Sequence, residues 1–480
     1  MNPYLLTLVA YSVLLVLLGV FRSRQVHDVQ GFFVASRGLN TGLLFSTLLA
    51  ANIGAGSTVG AAGLGYQFGL SAWWWVGSAG FGSLLLAFTV APRLWQIASA
   101  HGFITVGDYL EYRYDRRIRG LAAILVWLGA LAILAGQLIA VAWILDVVVA
   151  LPKWLGCLLG GIVATTYFSV GGLFSTVWVN VVQVVVKMAG FVLAVPFALS
   201  LCGGWKSITE RLAETSQPSL NLTSYLSFTG AEGFEILDYL VLLVPSFLVS
   251  PGILQKVYGA KDRGTARNGV LANAFALLLF AILPPVLGIA ARAFYPDLPN
   301  RELAIPAVMV HLLPPWLGGL ALAAIFSAEL SAADAVLAML STSFARDLLK
   351  GYLVPNLRDS SLLAVTRVVA VLAGAAGVML AVLLPNVVAA LQIFYGLLTT
   401  ALFVPLVFGL YWKKPDARAA LAAIIAGVGT TLSLEVFNER KGIGILSPVA
   451  CGIVLAAAMM WLVTVFSREQ ANRNTSSWTT

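Results

Sequence analysis

Apolar runs bounded by charge, glycine and proline fall at residues 3–21, 42–66, 70–96, 120–149, 154–170, 175–203, 236–258, 267–294, 316–345, 362–384, 387–411, 417–436 and 444–466. Most are near the roughly 20 apolar residues that a helix needs to cross a bilayer. The pattern therefore predicts an all-α polytopic membrane protein of about thirteen transmembrane helices. The first run has no basic residue ahead of it and carries Arg22 and Arg24 behind it, the reverse of a secretory signal, so it is predicted to be retained as a span. With thirteen spans, lysines and arginines divide twenty-one to seven between the two sides, with Lys187 left inside a span. The richer side is cytoplasmic by the positive-inside rule. An integral membrane protein, in the plasma (inner) membrane, is expected, with its N-terminus outside and its C-terminus inside.

Composition narrows the function. The chain is 60% hydrophobic and only 10% charged, too little polar surface to cover a large soluble domain. Its net charge of +8 sits in short clusters between apolar runs, which reads as topology and gives no reason to expect a nucleic-acid partner. Cys157, Cys202 and Cys451 are too few and too scattered for a disulfide framework or a metal site. His27, His101 and His311 are likewise dispersed, so neither a zinc site nor a histidine-based triad assembles, and the protein is not expected to be an enzyme. The lipid bilayer is the surrounding partner, and the oligomeric state is left open.

Two runs are interrupted in comparable ways. The second carries AANIGAGSTVG over residues 50–60, where glycines and small polar residues weaken the helix. The seventh carries PSFLVSPG over 245–252, where Pro251 lacks a backbone donor and Gly252 loosens the next turn. Backbone freed from helical bonding inside a bilayer must be buried in protein or line a cavity. Broken segments at matching places in two halves point to an inverted-repeat transporter with its site near the midplane. The expected organisation is an extra helix and loop (1–41), a first five-helix repeat (42–203), an extracellular loop (204–235), a second five-helix repeat (236–411) and two further helices with a short tail (412–480). Gly60, Gly63 and Gly160 are read as close helix packing instead.

The segments GFFVASRGLN, AANIGAGSTVGAAGLGYQFGL, GFITVGDYLEYRY, TYFSVGGLFSTVWVNVVQ, ILQKVYGAKD and AAIFSAELSAADAVLAMLSTSFARDL, in that order over about 31–410, resemble the sodium:solute symporter family, which has a LeuT-type inverted-repeat fold. The resemblance implies alternating-access import of a small organic solute driven by a sodium gradient. It further implies a Na+ site built from the carbonyls of Ala50, Ile53 and Ala328 and the hydroxyl of Ser331. A second hydroxyl usual in the family is missing, because Ala332 stands there. Asn180 replaces an aspartate that many relatives carry, and Lys187 lies seven residues further along the same helix, on roughly the same face. A charge that deep needs a partner or a function. Glu329 lies at similar depth, and Asp334 fits the family pattern. These four residues, Lys187, Glu329, Asn180 and Asp334, are the coupling candidates, with a structural Lys187–carboxylate pair and a direct role in ion coupling both open. The alternative driving ion is H+, with the Lys187 ammonium standing in for the metal cation. Matching positions suggest Asn52, Ser57, Gln137, Phe247 and Gln392 as solute-binding residues, with Phe247 a lid. Trp73, Trp74 and Trp75 are read as an interfacial aromatic belt. A solute sensor is the reading from another class, disfavoured by the roughly fourteen residues after the last run. A passive channel fits two broken helices around a polar midplane less well. The sequence does not name the solute.

Overall fold

The computed structural model describes residues 2–23, 34, 37–215, 221–230, 233–354, 356, 358–437 and 442–476. His27 and much of the first loop, Arg440, Lys441 and the last four residues lie outside them. So do the side chains of 167 and 169–176, in the TYFSVGGLFST segment. No strand occurs among the described residues; there are two isolated bridges, one joining Leu39 to Ala260.

The helices are α1 (Pro3–Ser23), α2 (Thr41–Asn52), α3 (Ala61–Phe68), α4 (Trp73–Phe88), α5 (Val90–His101), α6 (Val106–Arg113), α7 (Arg116–Val149), α8 (Lys153–Leu201), α9 (Gly204–Thr215), α10 (Gly233–Val249), α11 (Pro251–Tyr258), α12 (Arg263–Phe280), α13 (Leu283–Phe294), α14 (Pro315–Thr342), α15 (Asp359–Leu383), α16 (Val387–Phe403), α17 (Ala417–Phe437) and α18 (Pro448–Ser476). Among the described residues nine helical segments are long and apolar enough to cross a membrane, and up to ten if the bent pair Thr41–Asn52 plus Gly56–Phe88 is one span. Pro3–Leu15 and Lys153–Thr166 are shorter apolar helices. The chain is an all-α polytopic membrane protein; the count of thirteen is carried forward as part of the proposal below.

One boundary differs from the sequence expectation. Where two spans are predicted, helical bonding runs through Lys153–Leu201. Its two ends nevertheless meet the same end of the bundle. Lys153 Nζ donates to the Leu384 carbonyl just past α15, and Phe197 packs edge-on against Trp316 at the start of α14. Since α14 and α15 are joined at their opposite ends, the chain still crosses out and back over this stretch.

Both predicted breaks are present. α2 begins at Asn40, whose side chain accepts from Leu43 N at 2.9 Å, and ends where Ile53 turns extended (φ −94°, ψ 96°). A π-helical turn, Gly56–Gly60, leads into α3, and the pair is bent by 63°. In the seventh run Ser250 (ψ 116°) separates α10 from α11, which Pro251 starts with a fixed φ and no orphan N–H. Between the breaks runs α14, buried on nearly every side. Glycines let its neighbours come close: a Cβ at Gly190 on α8 would stand 2.3 Å from Ala324 Cβ on α14. That close approach presses α8 against α14 one turn from Lys187.

Two polar devices hold the ends. At one, the fully buried Glu302 accepts from Val387 N (2.8 Å) at the start of α16 and from Trp143 Nε1 (2.9 Å) on α7. A carboxylate there complements the helix dipole, although burial holds its carboxyl above the ordinary range. At the other, Arg119 meets Asp108 (2.9 Å), Glu111 (2.6 Å) and Asp347 (2.9 Å), and Thr105 Oγ1 donates to Asp347 Oδ1 at 2.6 Å. The sequence gives Arg119 only a topological role, because the fold alone brings the acids of α6 and of the segment after α14 to it.

Candidate functional site

The cation position forms where α2 ends. Ile53 leaves the helix, and Gly54 N turns away to donate to Ser57 Oγ at 3.0 Å. The Ala50 and Ile53 carbonyls are thereby released from the helical pattern and point across to α8 and α14. Lys187, fully buried, fills the space between them. Its Nζ donates to Ala50 O at 3.1 Å, to Ile53 O at 3.1 Å and to Ser331 Oγ at 2.8 Å. An ammonium has three donors, and here each has an acceptor. Three of the four predicted cation ligands are thus gathered around the chain's own cation. The Ala328 carbonyl lies within 3.0 Å of Ser331 Oγ, which is also 2.7 Å from Ala50 O, so Ala328 supports the site through the serine. The hydroxyl missing at Ala332 has a steric counterpart: a Cβ at Gly54 would stand 2.5 Å from the Ala332 Cβ.

The coupling candidates sort differently. Lys187 forms no ion pair among the described residues; its partners are carbonyls and a hydroxyl, so the expected lysine–carboxylate pair does not form. Glu329, fully buried and within electrostatic reach of Lys187, accepts from Thr58 Oγ1 at 2.7 Å, which ties α14 to the π-helical turn. Its second oxygen has no hydrogen-bond partner among the described residues. Asn180 Nδ2 donates to Thr47 Oγ1 at 2.9 Å, pinning α8 to α2. Asp334, buried on α14, lies within electrostatic reach of Lys256.

Between the two breaks lies a cavity of about 80 Å³, and Asn52, Ser57, Gln137 and Phe247 all line it. Gln392 does not. It faces a separate cavity of about 430 Å³ between α10, α16, α17 and α18, with Asp238 and Glu435. The reason is helical phase: Leu391, Phe394 and Tyr395 on α16 face the central cavity, and Gln392 is turned away from that stripe. Several polar side chains of the wall also hold the unwound backbone. Gln137 Oε1 accepts from Ala55 N at 2.8 Å and Ser57 Oγ from Gly54 N at 3.0 Å, while Asn52 Nδ2 ties the end of α2 to Asn273 Oδ1 at 3.2 Å.

Three wall residues escaped the sequence reading. Trp75, 3% exposed, donates its Nε1 to Gly56 O at 2.9 Å and stands edge-on to Tyr239 and Tyr395. Trp74, by contrast, reaches the Phe228 carbonyl in the loop ahead of α10. A run of three tryptophans covers most of a helical turn, so spacing alone did not say which faces inward. Tyr395 lay in an unbroken apolar run. Lys256, 4% exposed, also lines the cavity, although the charge count treats it as a surface residue. Its only signal was its position inside the apolar run 236–258.

This arrangement can be set beside known proteins. The chain is 27% identical over 451 residues to the sodium/pantothenate symporter of Escherichia coli (strain K12), covering 88% of each. It is 24% identical to the sodium/glucose cotransporter of Vibrio parahaemolyticus, over 88% of this chain and 83% of that one. It is also 24% identical to the human high affinity choline transporter 1, over 88% and 75%. A solved Na+-coupled sialic acid symporter superposes with a TM-score of 0.79 at 17% identity, covering 97% of this chain and 98% of the other, and shares the fold. The sequence profile of the sodium:solute symporter family matches residues 32–427, across both broken helices and the helices that carry Lys187 and Ser331. A match spanning most of the chain, joined to that fold, makes this protein a member of the sodium:solute symporter family.

Proposed function

We propose that the protein is a secondary active symporter that imports a small organic solute by alternating access through thirteen spans, with its N-terminus outside and its C-terminus inside the plasma membrane. Family membership and the cavity between two broken helices support the transport reading, and sodium is the family's driving ion. The relatives are named for pantothenate, glucose and choline, so membership alone leaves the solute open. Impermeant thiol labelling of single cysteines at Asn2 and Thr479, on a cysteine-free background, should occur from opposite sides of the membrane. Labelling of both from outside would overturn the topology.

For the driving ion, one observation favours the second reading: the Lys187 ammonium on Ala50, Ile53 and Ser331. A sodium ion at this site would have to displace Nζ, because a hard cation takes the same oxygens. We read Lys187 as the standing substitute for that cation, and a proton as the ion that drives uptake. Purified protein in liposomes, with ligand screening to supply the solute, should accumulate it under an inward proton gradient without sodium. Accumulation under a sodium gradient at equal pH on both sides, and none under the proton gradient, returns the assignment to sodium.

A further inference from the structure

The wall of the central cavity carries a single formally charged side chain. Lys256 lies in the last turn of α11, six residues past the break at Ser250, and no aspartate or glutamate joins it on the wall. Its Nζ makes one long bond, to the Gly252 carbonyl of its own helix at 3.4 Å, and forms no ion pair among the described residues. Asp334 acts on it electrostatically from α14 without lining the cavity. At least two of the three ammonium donors are therefore left for a molecule in the cavity. Ser250 and Gly252 line the same space, so the break turns the N-terminal end of α11, the positive end of its dipole, toward it. The remaining wall is largely apolar and aromatic, with Trp75, Phe247 and Tyr395 among its residues.

From this pairing of a buried ammonium with a helix N-terminus, we propose that the solute is a small organic monocarboxylate. Its carboxylate lies against Lys256 and the start of α11, and its body packs on the three rings. The inference rests on the reading of this cavity as the solute site. A buried ammonium whose counter-charge, Asp334, stands outside the cavity and makes no ion pair with it is costly, and a carboxylate in the cavity bonds it directly. An organic amine would add a second buried positive charge. A primary amide would offer a neutral acceptor and weaker bonds.

The test uses the full-length protein in lipid nanodiscs and a panel of monocarboxylates, each with its primary amide and the corresponding amine. Ligand-induced shifts in melting temperature give the affinities. Carboxylates should bind at least about tenfold more tightly than their amides, the difference a charge-assisted hydrogen bond provides. Lys256→Gln should erase that preference, and Lys256→Arg, which keeps the charge, should preserve it. Should Lys256→Gln fail to fold, the wild type and Lys256→Arg decide the matter alone. Amides or amines that bind as well as acids overturn the proposal. Liposome uptake separates this failure from failure of the transport reading. A neutral solute concentrated against its gradient overturns the carboxylate assignment and leaves the symporter. A carboxylate bound through Lys256 but never accumulated leaves the assignment and overturns the symporter.

Discussion

Lys187→Met is expected to abolish proton-driven uptake and to make the stability of the protein depend on sodium. Methionine keeps the apolar stem but removes the ammonium, so the Ala50 and Ile53 carbonyls and the Ser331 hydroxyl lose their common donor inside the bundle. Ser331 Oγ still bonds the Ala50 carbonyl, so the Ile53 carbonyl is the group left bare, and a buried group without a partner costs about 1–3 kcal/mol, enough to lower the melting temperature. Those oxygens are then open to an external cation, which stabilises the variant by mass action. The wild type, whose site is filled by its own side chain, should respond little to sodium. A melting temperature that climbs with sodium in the wild type and stays flat in Lys187→Met would overturn the substitute reading. Ser331→Ala removes one acceptor of the three and should weaken the site less, by about 1.5–3 kcal/mol for a bond to a charged group.

The largest loss of stability is expected at Arg119. Its guanidinium, 7% exposed, joins Asp108, Glu111 and Asp347, and so ties α6, the start of α7 and the segment after α14 together. Arg119→Gln leaves three carboxylates with only Arg346, 3.8 Å from Asp108, to balance them. Removing one partner of a buried ion pair costs about 3–5 kcal/mol, and Asp347→Asn added to the variant should recover part of that. Arg116→Gln is the control, since Arg116 is exposed and, among the described residues, bonds to the Gly351 and Tyr352 carbonyls and lies over the Tyr352 ring. Melting temperatures of the purified variants decide it: equal losses at Arg116 and Arg119 would show that the cluster adds nothing beyond surface pairing. Asp347 and Thr105 also line a small cavity that shares Met339 with the central one. The network therefore stands beside a second cavity that meets the central one at Met339.

The sequence by itself determined the membrane class, the helical fold and the places where two helices break, because all three follow from short-range effects. A bilayer requires long apolar runs, and Gly54, Gly56, Pro251 and Gly252 weaken a helix wherever they stand. It also singled out Lys187, since a charge inside a span is conspicuous against apolar neighbours. Of the positions taken from the resemblance, Asn52, Ser57, Gln137 and Phe247 line the central cavity and Gln392 lines another. What Lys187 bonds to was decided only by the tertiary structure. Its three acceptors come from α2 and α14, more than a hundred residues away along the chain. The small contact of Gly190 with Ala324 helps to set how closely those helices approach. Gln392 and Trp75 were misplaced because the rotation of a helix about its own axis is fixed by packing, and an apolar run carries no polar face to reveal it. Lys256 and Arg119 show the same limit for charge. Both stand near the ends of apolar runs, where topology already accounts for a basic residue, and only the fold sends one into the central cavity and the other among carboxylates.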